Sequence, residues 1–177
     1  MSEGNGYVTG KEKTFNFGYI NRLLSYDPIT GHFIWLTDRR SFKCAGKRAG
    51  CLGRDGYWIL KISGVNFLGH RVAWLLQTGE WPKFEIDHED LVRSNNTWAN
   101  LRSATHGQNQ SNSKAYKNNL LGVKGVSPMP NQPGRFRVRI RKNGRERHLG
   151  CFNSLQEAGS AYAKASQQLH GEFGRPA

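Results

Sequence analysis

From residue 135 to residue 141 the chain reads Arg-Phe-Arg-Val-Arg-Ile-Arg, and a strict period of two is the signature of an extended strand. Successive side chains of a strand leave on opposite faces, so Phe136, Val138 and Ile140 turn one way while Arg135, Arg137, Arg139 and Arg141 line the other. Lys142-Asn143-Gly144-Arg145 follows, and Asn-Gly between two strand patterns is the strongest short hairpin signal. Residues 122–127 and 147–152 supply the flanking patterns, which predicts three antiparallel strands. Ser154-Leu155-Gln156-Glu157 has the form of a capping box. Leu155, Ala158, Tyr162, Ala165 and Leu169 then recur at helical spacing, and Gly171 stops the run. One helix stripe packs on the apolar sheet face, and the arginines are left outward.

That outward face carries four arginines and no acid in this strand. Such a row repels itself unless an anion lies against it. It can span phosphates and offer paired donors to guanine edges in a major groove. A solvated sheet face is the plain alternative, but those are normally mixed in sign.

The whole chain supports a polyanionic partner. It carries 26 Lys and Arg against 13 acids over 177 residues, and neutralised phosphates release counterions. The excess is uneven: residues 113–177 hold twelve basic and three acidic side chains, a net of +9, and residues 1–112 hold fourteen and ten, a net of +4. Three cysteines, Cys44, Cys51 and Cys151, form no Cys-x-x-Cys pair, which speaks against a zinc ribbon or a disulfide framework and suits a reducing compartment. Residues 1–13 are polar and read as a disordered tail, with no apolar core of a signal segment. No apolar run approaches a membrane span. The expectation is a cytoplasmic protein without a membrane partner.

Upstream, apolar positions 15, 19, 20, 23 and 24 predict a short helix within residues 15–26. A turn at Asp27-Pro28-Ile29-Thr30-Gly31 leads to a strand at 32–36. Residues 43–56 are glycine-rich and basic, and predict loop. Residues 57–62 and 65–68 flank Ser63-Gly64 as a hairpin, and 71–77 is a buried helix. The next strand, 84–88, ends in Glu85-Ile86-Asp87-His88-Glu89-Asp90. A short segment at 98–102 and a polar helix from Thr105 to about Asn112 follow. Residues 113–121 read as a linker.

Asp87 and His88, Asn100 twelve residues on, and Asn109 form the chemically suggestive set. Phosphodiester hydrolysis needs a base for the attacking water and a stabiliser for the leaving oxygen. Neutral imidazole suits the first task. A hard cation held by oxygen ligands suits the second, and Asp87 with the Asn109 side-chain carbonyl are such ligands. Taken alone, the acidic run 85–90 reads equally as a solvated strand end.

The blocks His70-Arg71-Val72-Ala73-Trp74, Gly79-Glu80-Trp81-Pro82, Ile86-Asp87-His88, Asn100-Leu101-Arg102 and Asn109 together resemble the HNH homing endonucleases of phages. The resemblance implies a ββα-metal core at about 84–112 within a nuclease domain at 14–112. It implies His88 as general base, Asp87 and Asn109 as metal ligands, and Asn100 as a brace for the loop and for His88, counted among the catalytic residues. His70 and Arg71 are implied near the site in a structural or phosphate-contacting role. The implied cofactor is Mg²⁺ or another hard divalent ion such as Mn²⁺. One position departs from the pattern: Asp90 is followed by Leu91 where relatives place a glycine, and leucine is ill suited to positive φ, so a different turn is expected.

Residues 122–173 resemble the apetala-two, or ethylene-response-factor, DNA-binding domain, through Gly125-Val126-Ser127, the Arg/aliphatic strand, His148-Leu149-Gly150-Cys151-Phe152 and Glu157-Ala158…Ala161-Tyr162. That family docks its sheet in the major groove, which implies contacts from Arg135, Arg137, Arg139, Arg141 and His148. The expected fold class is therefore α+β: a ββα-metal nuclease domain, then a three-stranded antiparallel sheet on one helix. The expected function is a metal-dependent endonuclease acting on double-stranded DNA as a monomer. Two alternatives stand beside it: a non-catalytic DNA-binding regulator with a decayed nuclease domain, and an RNA-directed protein.

Overall fold

The computed structural model describes residues 10–39, 42–115 and 119–175. Residues 1–9 of the expected tail and 116–118 of the expected linker lie outside the described residues. The chain forms two compact units that meet between Thr105 and His106. Both mix helix with small antiparallel sheets, so the chain is α+β.

The first unit opens with helix α1, Gly10–Thr14, where the sequence suggested disordered tail to residue 13. The physical reason is Glu12, which is 4% exposed and ion-paired to Arg71; a buried pair 59 residues apart has no local signature. Helix α2 follows at Phe17–Leu23, capped by Asn16, and ends earlier than the expected 15–26. Its last turn gives way to strand β1, Leu24–Asp27, which pairs with β2, His32–Trp35. Ladder pairing and burial of Leu24 against Phe33 outweigh helical spacing there. Strands β3, Cys51–Leu52, β4, Trp58–Ile62, and β5, Val65–Leu68, form a three-stranded sheet, with Ser63-Gly64 at the expected turn.

Helix α3, Gly69–Thr78, buries His70, Arg71, Val72, Ala73 and Leu75. Those residues meet a core containing Ile20, Leu24, Phe33, Leu60 and Ile62, all fully buried. The unit closes with a two-stranded hairpin, β6, Glu85–His88, and β7, Leu101–Ala104. Asp87 faces Arg102 and His88 faces Leu101 in that register.

The second unit begins with α4, His106–Asn112. Strands β8, Val126–Pro128, β9, Phe136–Lys142, and β10, Arg145–Phe152, form an antiparallel sheet with β9 central. Asn143 and Gly144 take φ of 51° and 76°, the paired positive values of a type I′ hairpin turn. Helix α5, Leu155–His170, is capped by Ser154 and stopped at Gly171. Ala158 and Tyr162 pack on Val126, Val138 and Ile140. The first strand starts at Val126, later than the sequence suggested, because Gly125 has φ +73° and no room for a side chain: a Cβ there would lie 2.3 Å from Tyr162. Among the described residues no helix is long and apolar enough to cross a membrane.

Candidate active site

Asp87 and His88 end β6 and are 3% and 5% exposed. Burying a carboxylate demands a partner, and Asp87 Oδ2 accepts hydrogen bonds from Arg102 across the hairpin, with Nε and Nη2 both at 2.9 Å. His88 Nε2 lies 3.4 Å from Asn96 Oδ1. The tautomer that donates from Nε2 to this amide oxygen leaves Nδ1 as the basic nitrogen. Burial pushes the His88 imidazole below its ordinary value, Asn96, Asp90 and Asp87 pull it back, and Arg93 lowers it again. The result is a ring that is neutral at pH 7.

The loop between the two strands is fixed by Asn100. Its Nδ2 donates to Asp90 Oδ1 at 3.0 Å and to the Asn95 carbonyl at 2.9 Å. Its Oδ1 accepts from the Asp90 backbone at 3.0 Å. Asp90 also accepts from the Val92 backbone and from Asn95 Nδ2. Burial raises the Asp90 carboxyl, but the hydrogen bonds from Asn95, Val92 and Asn100 outweigh it and hold it below the ordinary value. Asn100 thus ties Asp90 and Asn95 together across the loop.

Leu91 corrects one expectation. Its φ is +64°, so the turn keeps the left-handed residue that leucine was expected to forbid. The Leu91 amide donates to His88 O at 3.0 Å, closing the turn directly on the imidazole-bearing residue. A non-glycine residue in that region is strained by roughly 1–2 kcal/mol.

Asn96 carries no signal in the sequence and is nonetheless buried, 2% exposed. The β1–β2 turn supports it. Tyr26 Oη donates to the Asn96 carbonyl at 2.7 Å, and the Trp98 amide donates to Pro28 O at 2.8 Å. Gly31 approaches so closely that a Cβ would lie 2.5 Å from the Thr97 nitrogen.

His70 stands edge-on to His88, with ring centroids 5.0 Å apart and planes at 88°. Tyr57 packs against both rings, at 5.3 Å and 6.0 Å. His70 is 6% exposed and its Nδ1 has no hydrogen-bond partner. Burial holds it well below the ordinary histidine value, and the charges of His88 and Arg71 add to this. Arg71 is 8% exposed and paired with Glu12. Asn109 is carried by α4, in the second unit.

In the second unit the register places His148 opposite Arg139 and Cys151 opposite Arg137, so His148 shares the arginine face. Glu146 stands opposite Arg141 on that face and its Oε1 accepts from Arg139 Nη1 at 2.8 Å. This corrects the expectation of a face without an acid: one of its cations is locally compensated. Arg135 donates to Gln132 at 2.8 Å, and Arg137 Nε is buried without a hydrogen-bond partner.

Among the described residues no three His, Cys, Asp or Glu side chains converge on one point. A single carboxylate with an amide oxygen is still a donor set of the right hardness for Mg²⁺, which retains waters and leans on substrate phosphates. The Arg102 guanidinium on Asp87 disfavours a second cation there until an anion joins it.

A family model described as HNH endonuclease matches residues 68–111, which takes in α3, the β6–β7 hairpin and nearly all of α4. The "Uncharacterized HNH endonuclease L560" of Acanthamoeba polyphaga mimivirus is 30% identical over 126 residues, 71% of this chain, and the match spans 64% of that protein's length. "Protein 3.8" of Escherichia phage T7 is 30% identical over 107 residues, 60% of this chain and 87% of that protein. A solved structure of the HNH homing endonuclease I-HmuI, described as "DNA binding and cleavage", aligns over 83% of this chain and 84% of its own at 20% identity and a TM-score of 0.38, too loose a likeness to carry an argument. The family match and the mimivirus relative lead to one statement: residues 68–111 of this chain form an HNH endonuclease domain.

Proposed function

We propose that the protein is a divalent-metal-dependent endonuclease that hydrolyses phosphodiester bonds in double-stranded DNA, with His88 as general base. The observation that carries this reading is the buried His88 imidazole, with Nε2 3.4 Å from Asn96 Oδ1, beside the buried Asp87 carboxylate at the end of β6. His88 Nδ1 accepts the proton of an attacking water as its oxygen bonds to phosphorus. The phosphorus–oxygen bond to the 3′ carbon breaks, that oxygen takes a proton from solvent, and the ends are a 5′-phosphate and a 3′-hydroxyl. Asp87 would hold a hard divalent ion, Mg²⁺ or Mn²⁺, which would supply electrostatic stabilisation of the charge on the leaving oxygen. Asn109 is the second ligand in this reading, by the sequence resemblance alone. Asn100 keeps the His88 turn in shape, and Asn96 sets the tautomer.

The apetala-two-like module, residues 122–173, binds the duplex through Arg135, Arg137, Arg139, Arg141 and His148. Support for this part comes from the shared face in the β9–β10 register and the +9 charge of residues 113–177.

One observation favours the second reading, a DNA-binding regulator that no longer cuts: Arg102 already occupies Asp87 Oδ2. Plasmid nicking separates the two. Cutting with Mg²⁺ and none with EDTA supports the nuclease, and duplex binding without cutting under both conditions supports the regulator. Competition with duplex RNA tests the nucleic acid, because A-form RNA closes its major groove to a sheet.

A further inference from the structure

Helix α4 is short and polar. Its sequence is His-Gly-Gln-Asn-Gln-Ser-Asn, seven residues with no apolar side chain. A helix this short is unstable alone, and glycine, asparagine and serine lower its propensity further. Its one buried residue is Asn112. Yet its C-terminal end is closed by a single ammonium group. Lys124 Nζ donates to the carbonyls of Gln110, Ser111 and Ser113 at 3.0, 2.8 and 3.0 Å, with Ser113 Oγ at 3.3 Å. Three donors meet three carbonyls at the end of the helix, of which that of Gln110 also accepts from the Ser113 amide and hydroxyl, and a cation there suits the helix dipole.

The anchor is rigid at its other end. Lys124 precedes Gly125, which lies against Tyr162 and whose carbonyl accepts the Arg139 amide at 2.8 Å. A second tie comes from α5: His170 Nδ1 lies 3.2 Å from Ser111 Oγ. We infer that Lys124 is a positioning residue, clamping α4 and with it Asn109 onto the C-terminal sheet-and-helix module, so that this module fixes a residue of the reaction as well as holding DNA. The catalytic consequence rests on the reading of Asn109 as a metal ligand; the clamp itself does not.

The test uses the full chain. In metal-free protein, Lys124→Met should speed amide hydrogen exchange at residues 109–112 about tenfold or more, while β9 and α5 amides keep their protection. Lys124→Arg, which keeps the charge and donors, should restore most of it. The Mg²⁺ concentration giving half-maximal cleavage should rise about tenfold in Lys124→Met, with duplex binding in EDTA little changed. Unchanged exchange at 109–112 overturns the inference. Should Lys124→Met also strip protection from β9 and α5, Lys124→Gln is read in its place, and a uniform loss in that variant equally overturns a role specific to α4. Asn109→Ala separates the two claims: if it cuts like wild type while Lys124→Met still loosens α4, Asn109 leaves the metal site and the clamp stands.

Discussion

Two antiparallel hairpins carry the residues of the proposed function, and they use polar side chains in opposite ways. On β6–β7 the polar groups are buried: Asp87, His88 and Asn100 are each at most 9% exposed, and each has fixed partners within the hairpin and its loop. On β9–β10 the charged residues line an open face, where Arg139 is 40% and Glu146 45% exposed. Low-dielectric surroundings make the first arrangement specific and expensive to disturb. Solvent and salt screen the second, so its contribution is distributed over several cations. A buried hairpin can set a tautomer and hold a ring neutral. An exposed one can grip a polyanion and let go.

That contrast can be sharpened first on the open face. Removing one phosphate contact lowers the slope of log affinity against log salt by roughly 0.9. Arg137→Ala should show about that change in duplex-binding titrations. Arg139→Ala should show less, because Glu146 already engages Arg139. Equal slopes for both variants and wild type would remove this face from the interface.

On the buried hairpin the next largest effect concerns backbone strain. Leu91→Gly should raise the denaturant midpoint, with a gain of up to about 1 kcal/mol once left-handed strain is relieved. A lower midpoint would mean that the leucine side chain's packing outweighs the strain at φ +64°.

The smallest expected effect is a pH slope. His70 is neutral in the folded protein, its value held well below 6.5 chiefly by burial. The unfolded chain binds a proton as pH falls through about 6.5 and the folded chain does not. Stability from this residue is therefore full above that pH and lost as pH falls toward the folded value. Urea midpoints between pH 7.5 and 5 (about the range that matters for histidine) should fall less steeply in His70→Gln than in wild type. An identical slope would show that His70 does not stay neutral.

Much of the second unit was legible because one rule, side-chain alternation, fixes faces, register and turn together. The same rule holds the information that was missed: an Asn-Gly turn pairs Lys142 with Arg145, which sets Glu146 opposite Arg141. In the first unit the spacing of Asp87, His88 and Asn100 identified the hairpin and its brace. Asn96 was invisible, since nothing local distinguishes it from Asn95. Glu12 was invisible for a different reason: its partner Arg71 is 59 residues away, and composition alone made its segment look like tail. Leu91 shows the limit of propensity, because the hydrogen bonds around Asp90 and Asn100 impose a backbone angle that its own side chain resists.

The central claim is that a buried, neutral imidazole takes the proton of the attacking water. Single-turnover cleavage of bound duplex DNA in Mg²⁺, wild type against His88→Ala, addresses it most directly. The account predicts a loss of about 10²–10⁴-fold in rate for the variant, with duplex affinity retained because the proposed DNA-binding face lies on β9–β10. Cleavage by His88→Ala at the wild-type rate, in a preparation free of contaminating nuclease, would contradict it.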